Sequence, residues 1–147
     1  MAYFEYPITN PMYKSKVNVL IIDDDSIYQF VSCKTLESTG YINKIKVCSN
    51  GDEAFRFLEA NMHNADELPD VILLDVNMPI MNGWQFLDSY KFLKPNLSKE
   101  MQVFIVTSSM NDQDKEFSRR YNCIQGYIVK PLAKDKISEI LSHAVPA

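Results

Sequence analysis

Glycine is scarce in this chain: four in 147 residues, at Gly40, Gly51, Gly83 and Gly126. They make no Gly-x-Gly-x-x-Gly fingerprint and no P-loop, so a nucleotide or flavin phosphate cradled by a glycine-rich loop has no support here. Cysteine is equally sparse. Cys33, Cys48 and Cys123 are odd in number, widely spaced and form no Cys-x-x-Cys pair, which argues against a disulfide framework and a zinc site and leaves reduced thiols in core or surface positions. Positive charge is not in excess, because 15 Lys and Arg stand against 19 Asp and Glu; the formal net charge of −4 makes nucleic acid a poor partner. Long apolar runs are missing too. The longest are strand-sized and end in carboxylates or hydroxyls, so no membrane span or membrane partner is expected. Residues 1–16 lack the basic start, apolar stretch and cleavage site of a secretory signal, and a cytoplasmic protein is the expectation.

What remains is an ordinary soluble composition, 46% hydrophobic and 23% charged, in a length that suits about one domain with a real core. Residues 1–16 read as an N-terminal extension: Tyr3, Phe4, Tyr6 and Tyr13 alternate with Pro7 and Pro11, which favours a flexible, extended tail over a helix. Residues 17–147 read as the domain. Its pattern alternates strand and helix with little slack. A strand over Val17 to Asp23 meets Ser26 as N-cap, and a helix follows with Ile27, Phe30 and Val31 at helical spacing until Gly40. A second strand covers Lys44 to Cys48. After Asn50-Gly51 a helix places Ala54, Leu58 and Met62 on one face, and Pro69-Asp70 introduces the third strand. Pro79 and Gly83 mark the next loop. Trp84, Leu87 and Tyr90 then give the inner stripe of a third helix, stopped by Pro95. A strand over Gln102 to Thr107, a polar helix over Asp112 to Tyr121 with Phe117, a strand over Gly126 to Val129 and a helix with Ile137, Ile140 and Leu141 inward complete five strands and five helices.

Strands separated by helices pair in parallel through right-handed crossovers, so the expected fold is α/β and doubly wound: a five-stranded parallel sheet, order 2-1-3-4-5, helices on both faces. In that order the first and third strands are neighbours at the switch point, where ligands bind at the strands' C-terminal ends. Four strands end there in polar groups: Asp23-Asp24-Asp25, Asp75, Thr107 and Lys130. Taken singly each has a bland explanation, since strand-end aspartates cap helices and lone lysines are solvated. Together they make one pocket. Two unit charges about 4 Å apart repel by roughly 4 kcal/mol at an effective dielectric of 20, so the carboxylates call for a cation. Lys130 supplies one charge. An all-oxygen cluster with room for water is the environment of Mg2+, which commonly binds phosphate alongside one or two carboxylates, and Thr107 and Lys130 then suit phosphoryl oxygens.

The strings Ile22-Asp23-Asp24-Asp25-Ser26, Leu74-Asp75-Val76-Asn77-Met78-Pro79 with Gly83, Thr107-Ser108-Ser109 and Lys130-Pro131 resemble the receiver domain of two-component response regulators, over about Val17 to Ala144. The resemblance implies that Asp75 is the phosphoacceptor, taking a phosphoryl group from a phosphohistidine on a sensor histidine kinase or histidine phosphotransfer protein. It implies Mg2+ bound directly by Asp24, through water by Asp23, and by Asp75 and the backbone carbonyl of Asn77, with Asp25 not a usual ligand. Thr107, the Ser108 amide and Lys130 would take phosphoryl oxygens, with Ser109 beside the water approach. The Lys130-Pro131 bond would be cis. Switching would couple Thr107 to Tyr127 and change the face of helix four, strand five and helix five, toward a downstream protein these residues do not identify. Such a protein would be a monomer or a phosphorylation-dependent dimer, and a signalling protein catalysing only its own phosphorylation and dephosphorylation.

With no room after the fifth helix for an output domain, a stand-alone receiver is the expectation, regulating by docking or passing the phosphoryl group onward as a relay. An aspartyl phosphatase would want a second acid two residues after Asp75, where Asn77 stands. A phosphorylation-independent scaffold is the remaining alternative.

Overall fold

The computed structural model describes residues 16–78, 80–108 and 112–144. Its strands are β1 (Val17–Ile22), β2 (Ile42–Cys48), β3 (Val71–Leu74), β4 (Gln102–Thr107) and β5 (Ile124–Val129). Its helices are α1 (Ser26–Ser38), α2 (Gly51–Ala60), α3 (Gly83–Leu93), α4 (Asp112–Ser118) and α5 (Lys134–Ala144), with a short 3-10 turn at Lys94–Asn96. The strands form one parallel sheet in the order β2-β1-β3-β4-β5. Among the described residues no helix is long and apolar enough to cross a membrane. The extension over residues 1–15, Pro79 of the loop and Ser109 lie outside the described residues.

β1 and β3 are buried at every position because helices cover both faces of the sheet. Alternation along each strand divides the core in two. Leu20, Ile22, Ile72, Leu74, Val103 and Ile105 pack with Leu58, Phe86 and Tyr90 from α2 and α3. On the other face Val19, Ile21, Leu73, Val106 and Ile128 pack with Leu36, Ile137 and Leu141 from α1 and α5. Burial of each such side chain contributes about 2 kcal/mol, which pins the register. That register sets Ile22 beside Leu74 and Leu74 beside Ile105, so the residues following β1 and β3 emerge side by side.

The first helix departs from its sequence reading at its start. Its N-cap is Asp25, not Ser26: Asp25 is extended, and its side chain accepts from the N–H groups of Ile27 and Tyr28, while Ser26 is already helical. Its apolar row faces water. Ile27 is 72% exposed and Phe30 64%, because Leu36, about two and a half turns beyond Ile27, points to the sheet and sets the opposite side outward. The helix closes through Thr39 on Gly40, whose φ of 80° is one a side chain disfavours.

Elsewhere the differences are smaller. In α3, Leu87 and Tyr90 are buried with Phe86 and Leu93, whereas Trp84 is only half-buried and stacks on Phe117 and Tyr121, both 5.7 Å away between ring centroids. α4 ends at Ser118 and not Tyr121, since Arg120 and Tyr121 donate to carbonyls three residues back and turn the chain out of the helix. β2 and β5 begin two residues earlier than their apolar cores suggest, and Ile140 is only partly covered.

Candidate active site

The C-terminal ends of β1, β3, β4 and β5 converge on one pocket. Asp23 follows β1 with its N–H on Cys48 O (3.0 Å), and Asp75 follows β3 with its N–H on Ile22 O (2.8 Å), so ladder bonds carry both carboxylates to the sheet edge. Each is 6% exposed. One carboxylate oxygen from each of Asp23, Asp24 and Asp75 lies within 4.8 Å of the others, with Asp24 on the open side. Gly83 lets α3 approach this floor: a Cβ there would stand 2.7 Å from Val76 Cα and 2.8 Å from Asp75 O. Asp23 and Asp75 also line a cavity of only about 10 Å³ with Ile21, Ser32, Leu73, Val106 and Leu132, so little free space adjoins the two carboxylates.

One ammonium enters from β5. Lys130 Nζ lies 2.8 Å from Asp23 Oδ2 and 3.6 Å from Asp75 Oδ2, with its side chain 9% exposed. Its backbone N–H donates to Thr107 O (2.8 Å), which ties the ends of β4 and β5 together. The Lys130-Pro131 peptide is cis. Thr107 is buried at 1% exposure, Ser108 is exposed at the rim, and Tyr127 is 42% exposed on β5 opposite Ile105.

The electrostatics follow from three carboxylates meeting one lysine. Burial drives Asp75 up from the ordinary carboxylate value; the Asn77 N–H (3.1 Å) and Lys130 oppose this, Asp23 and Asp24 reinforce it, and the result is about 6. For Lys130, burial favours the neutral amine, but the hydrogen bond to Asp23 and the charge of Asp75 overcome it and hold the ammonium above its usual range. One cation cannot neutralise this cluster. An oxygen-only donor set, two members buried and one open to solvent, fits a hard divalent cation that keeps water ligands.

Three contacts were not legible beforehand. Gln29 Nε2 donates to Asp23 O (2.6 Å), Asp25 N–H donates to Asp23 Oδ1 (2.9 Å), and the Tyr28 ring lies 4.3 Å from Lys130 Nζ. Once Asp25 is taken as the cap, Tyr28 and Gln29 fall in the helix's first turn beside the pocket; that cap is the missed signal.

The pocket lies at the switch point of a flavodoxin-like sheet, where folds of this kind bind their ligands. The chain belongs to the response regulator receiver domain family, which matches residues 19–142. It is 25% identical over 126 residues to the probable methanogenesis regulatory protein FilR2 of Methanothrix harundinacea, covering 85% of this chain and 79% of that protein. It is 31% identical over 103 residues to a protein-glutamate methylesterase/protein-glutamine glutaminase of Clostridium acetobutylicum, covering 70% of this chain but only 27% of that longer protein. Among solved structures, a two-component response regulator from Cytophaga hutchinsonii superposes with a TM-score of 0.77 at 26% identity, covering 88% of this chain and 97% of that one. The chain is thus a receiver domain of two-component signalling, a family whose members bind Mg2+ in this acidic pocket and act between histidine kinases and downstream effectors.

Proposed function

We propose that this receiver accepts a phosphoryl group on Asp75. The observation that carries the reading is the position of the Asp75 carboxylate: buried at the sheet edge, within 4.8 Å of two further carboxylates, and 3.6 Å from one lysine. A carboxylate oxygen of Asp75 attacks phosphorus, the P–N bond of the donor phosphohistidine breaks, and its electron pair returns to the imidazole, which takes a proton from solvent. Asp23, Asp24 and Asp75, with the Asn77 carbonyl, would hold Mg2+, which supplies charge neutralisation for the incoming phosphoryl oxygens. Lys130 pairs with another of those oxygens, and the Thr107 hydroxyl and Ser108 N–H take the rest. Burial and neighbouring carboxylates that raise Asp75 also make it the better nucleophile once ionised.

The consequence is a switch. Thr107 pairs in register with Val129, and Ile105 with Tyr127, so a pull on the Thr107 hydroxyl is felt along β5. Tyr127 and Val129 are exposed on the edge strand, and the face of α4, β5 and α5 is the output surface for a downstream protein. The test is direct: in Mg2+ and acetyl phosphate, intact mass gains one phosphoryl group in wild type and none in Asp75→Asn. Equal modification of both, or of neither, overturns the assignment.

A further inference from the structure

Tyr28 is outside the acceptor, metal and phosphoryl-oxygen set, yet its ring centroid lies 4.3 Å from Lys130 Nζ. The contacts around it close on themselves. Lys130 Nζ bonds Asp23 Oδ2 (2.8 Å); Asp23 Oδ1 accepts from Asp25 N–H (2.9 Å); Asp25 Oδ1 accepts from Tyr28 N–H (3.3 Å); and the Tyr28 ring returns to Lys130. The cap of α1 therefore fixes the backbone from which the ring reaches the amine.

The two partners of Lys130 respond differently to charge in the pocket. Asp23 attracts the ammonium only as long as its own charge is not shared with another cation. A ring face attracts through its quadrupole, and that attraction does not depend on the ionic state of the carboxylates. We infer that Tyr28 is a positioning residue for phosphoryl acceptance: its ring holds the Lys130 amine in the pocket, within reach of Asp75, when positive charge enters the acidic cluster and competes for Asp23. This deepens the reading of Asp75 as acceptor and rests on it for its kinetic consequence alone.

Two measurements on the full chain test it. A lysine ε-methylene held near an aromatic face is shifted upfield by the ring current. In selectively labelled protein with and without Mg2+, the Lys130 signal, assigned by its loss in Lys130→Arg, stays upfield in wild type and Tyr28→Phe and returns to the ordinary lysine position in Tyr28→Leu. With acetyl phosphate and Mg2+, Tyr28→Leu is modified roughly 2- to 30-fold more slowly, the range expected for one cation–π contact, and Tyr28→Phe rescues the rate. An unshifted Lys130 signal in wild type overturns the inference, as does a wild-type rate in Tyr28→Leu or a Phe variant as slow as Leu. If wild type takes up no phosphoryl group, the acceptor reading fails, and the methylene shift with Mg2+ alone still decides where Tyr28 places the amine.

Discussion

The two ends of the sheet each hold a buried aspartate paired with a lysine, and they are built to opposite ends. At the N-terminal edge Asp70 Oδ1 meets Lys99 Nζ at 2.9 Å, and Asp70 Oδ2 accepts from Asn18 N–H at 2.8 Å. Lys99 donates further to Leu68 O and Ala65 O, while Asn18 Nδ2 donates to Asp66 O and Leu68 O and Asn18 Oδ1 accepts from Asn43. Charge there is balanced, and each carboxylate oxygen has a donor. At the C-terminal edge three carboxylates share one lysine, whose second contact is stretched to 3.6 Å. A paired buried charge locks structure, whereas a surplus of one sign stores an electrostatic cost that a ligand can relieve. The same residue types therefore make a rivet at one end and a receptor at the other.

The sharpest break in that comparison is removal of one carboxylate from each end. Asp70→Ala strands Lys99 and the Asn18 N–H, and chemical denaturation should show a loss of about 3 kcal/mol, the low end for a broken buried pair since Lys99 is partly exposed. Phosphoryl uptake by the surviving folded fraction should be unchanged. Asp23→Asn or Asp75→Asn at the other edge should not destabilise the metal-free protein comparably, because each removes repulsion along with a contact.

Mg2+ separates the ends next. Saturation to a hundred times the dissociation constant adds about 2.7 kcal/mol to whatever binds only when folded. Thermal melts should show that increment in wild type and in Asp70→Ala, and should lose it in Asp24→Asn. An increment that survives Asp24→Asn would move the cation away from the acidic cluster.

pH gives the third separation. Asp75 in the folded chain titrates near 6, above its unfolded value of 3.8, so the folded state holds the proton more tightly. Its contribution to stability is fully present below about pH 4 and is lost as pH rises through 6. In EDTA, denaturation between pH 4 and 7 should therefore show a component on the order of 2 kcal/mol declining with pH, absent in Asp75→Asn. A component of opposite sign would mean that Lys130, and not burial and crowding, governs Asp75.

Much of this was legible in the sequence because strand ends are local signals. Asp23, Asp24, Asp75, Thr107 and Lys130 each close an apolar run, and parallel order makes them neighbours without knowledge of any side-chain contact. The rivet was not legible: Asp70 read only as the start of a strand, and nothing local to Lys99 says that it folds back onto it. The direction of the row Ile27, Phe30 and Val31 was not legible for a related reason. Periodicity finds a face but not its direction, and here Gln29, Ser32 and Cys33, side chains of small or moderate size, together with Leu36 turn toward the sheet.

The smallest predicted effect concerns Asp25, which belongs to the acidic string but acts through geometry. Its side chain caps α1 by accepting from two N–H groups, so Asp25→Ala should cost about 1 kcal/mol in denaturation. Asp25→Asn caps as well and removes only charge; its stability should stay within a few tenths of a kcal/mol of wild type, with Mg2+ affinity unchanged. If the Asn variant instead lost Mg2+ affinity, Asp25 would count as a fourth charge of the receptor. If the Ala variant lost phosphoryl uptake in excess of its stability cost, the excess would report the Tyr28 ring slipping from Lys130, because the same two hydrogen bonds set both the helix end and the ring's place over the pocket.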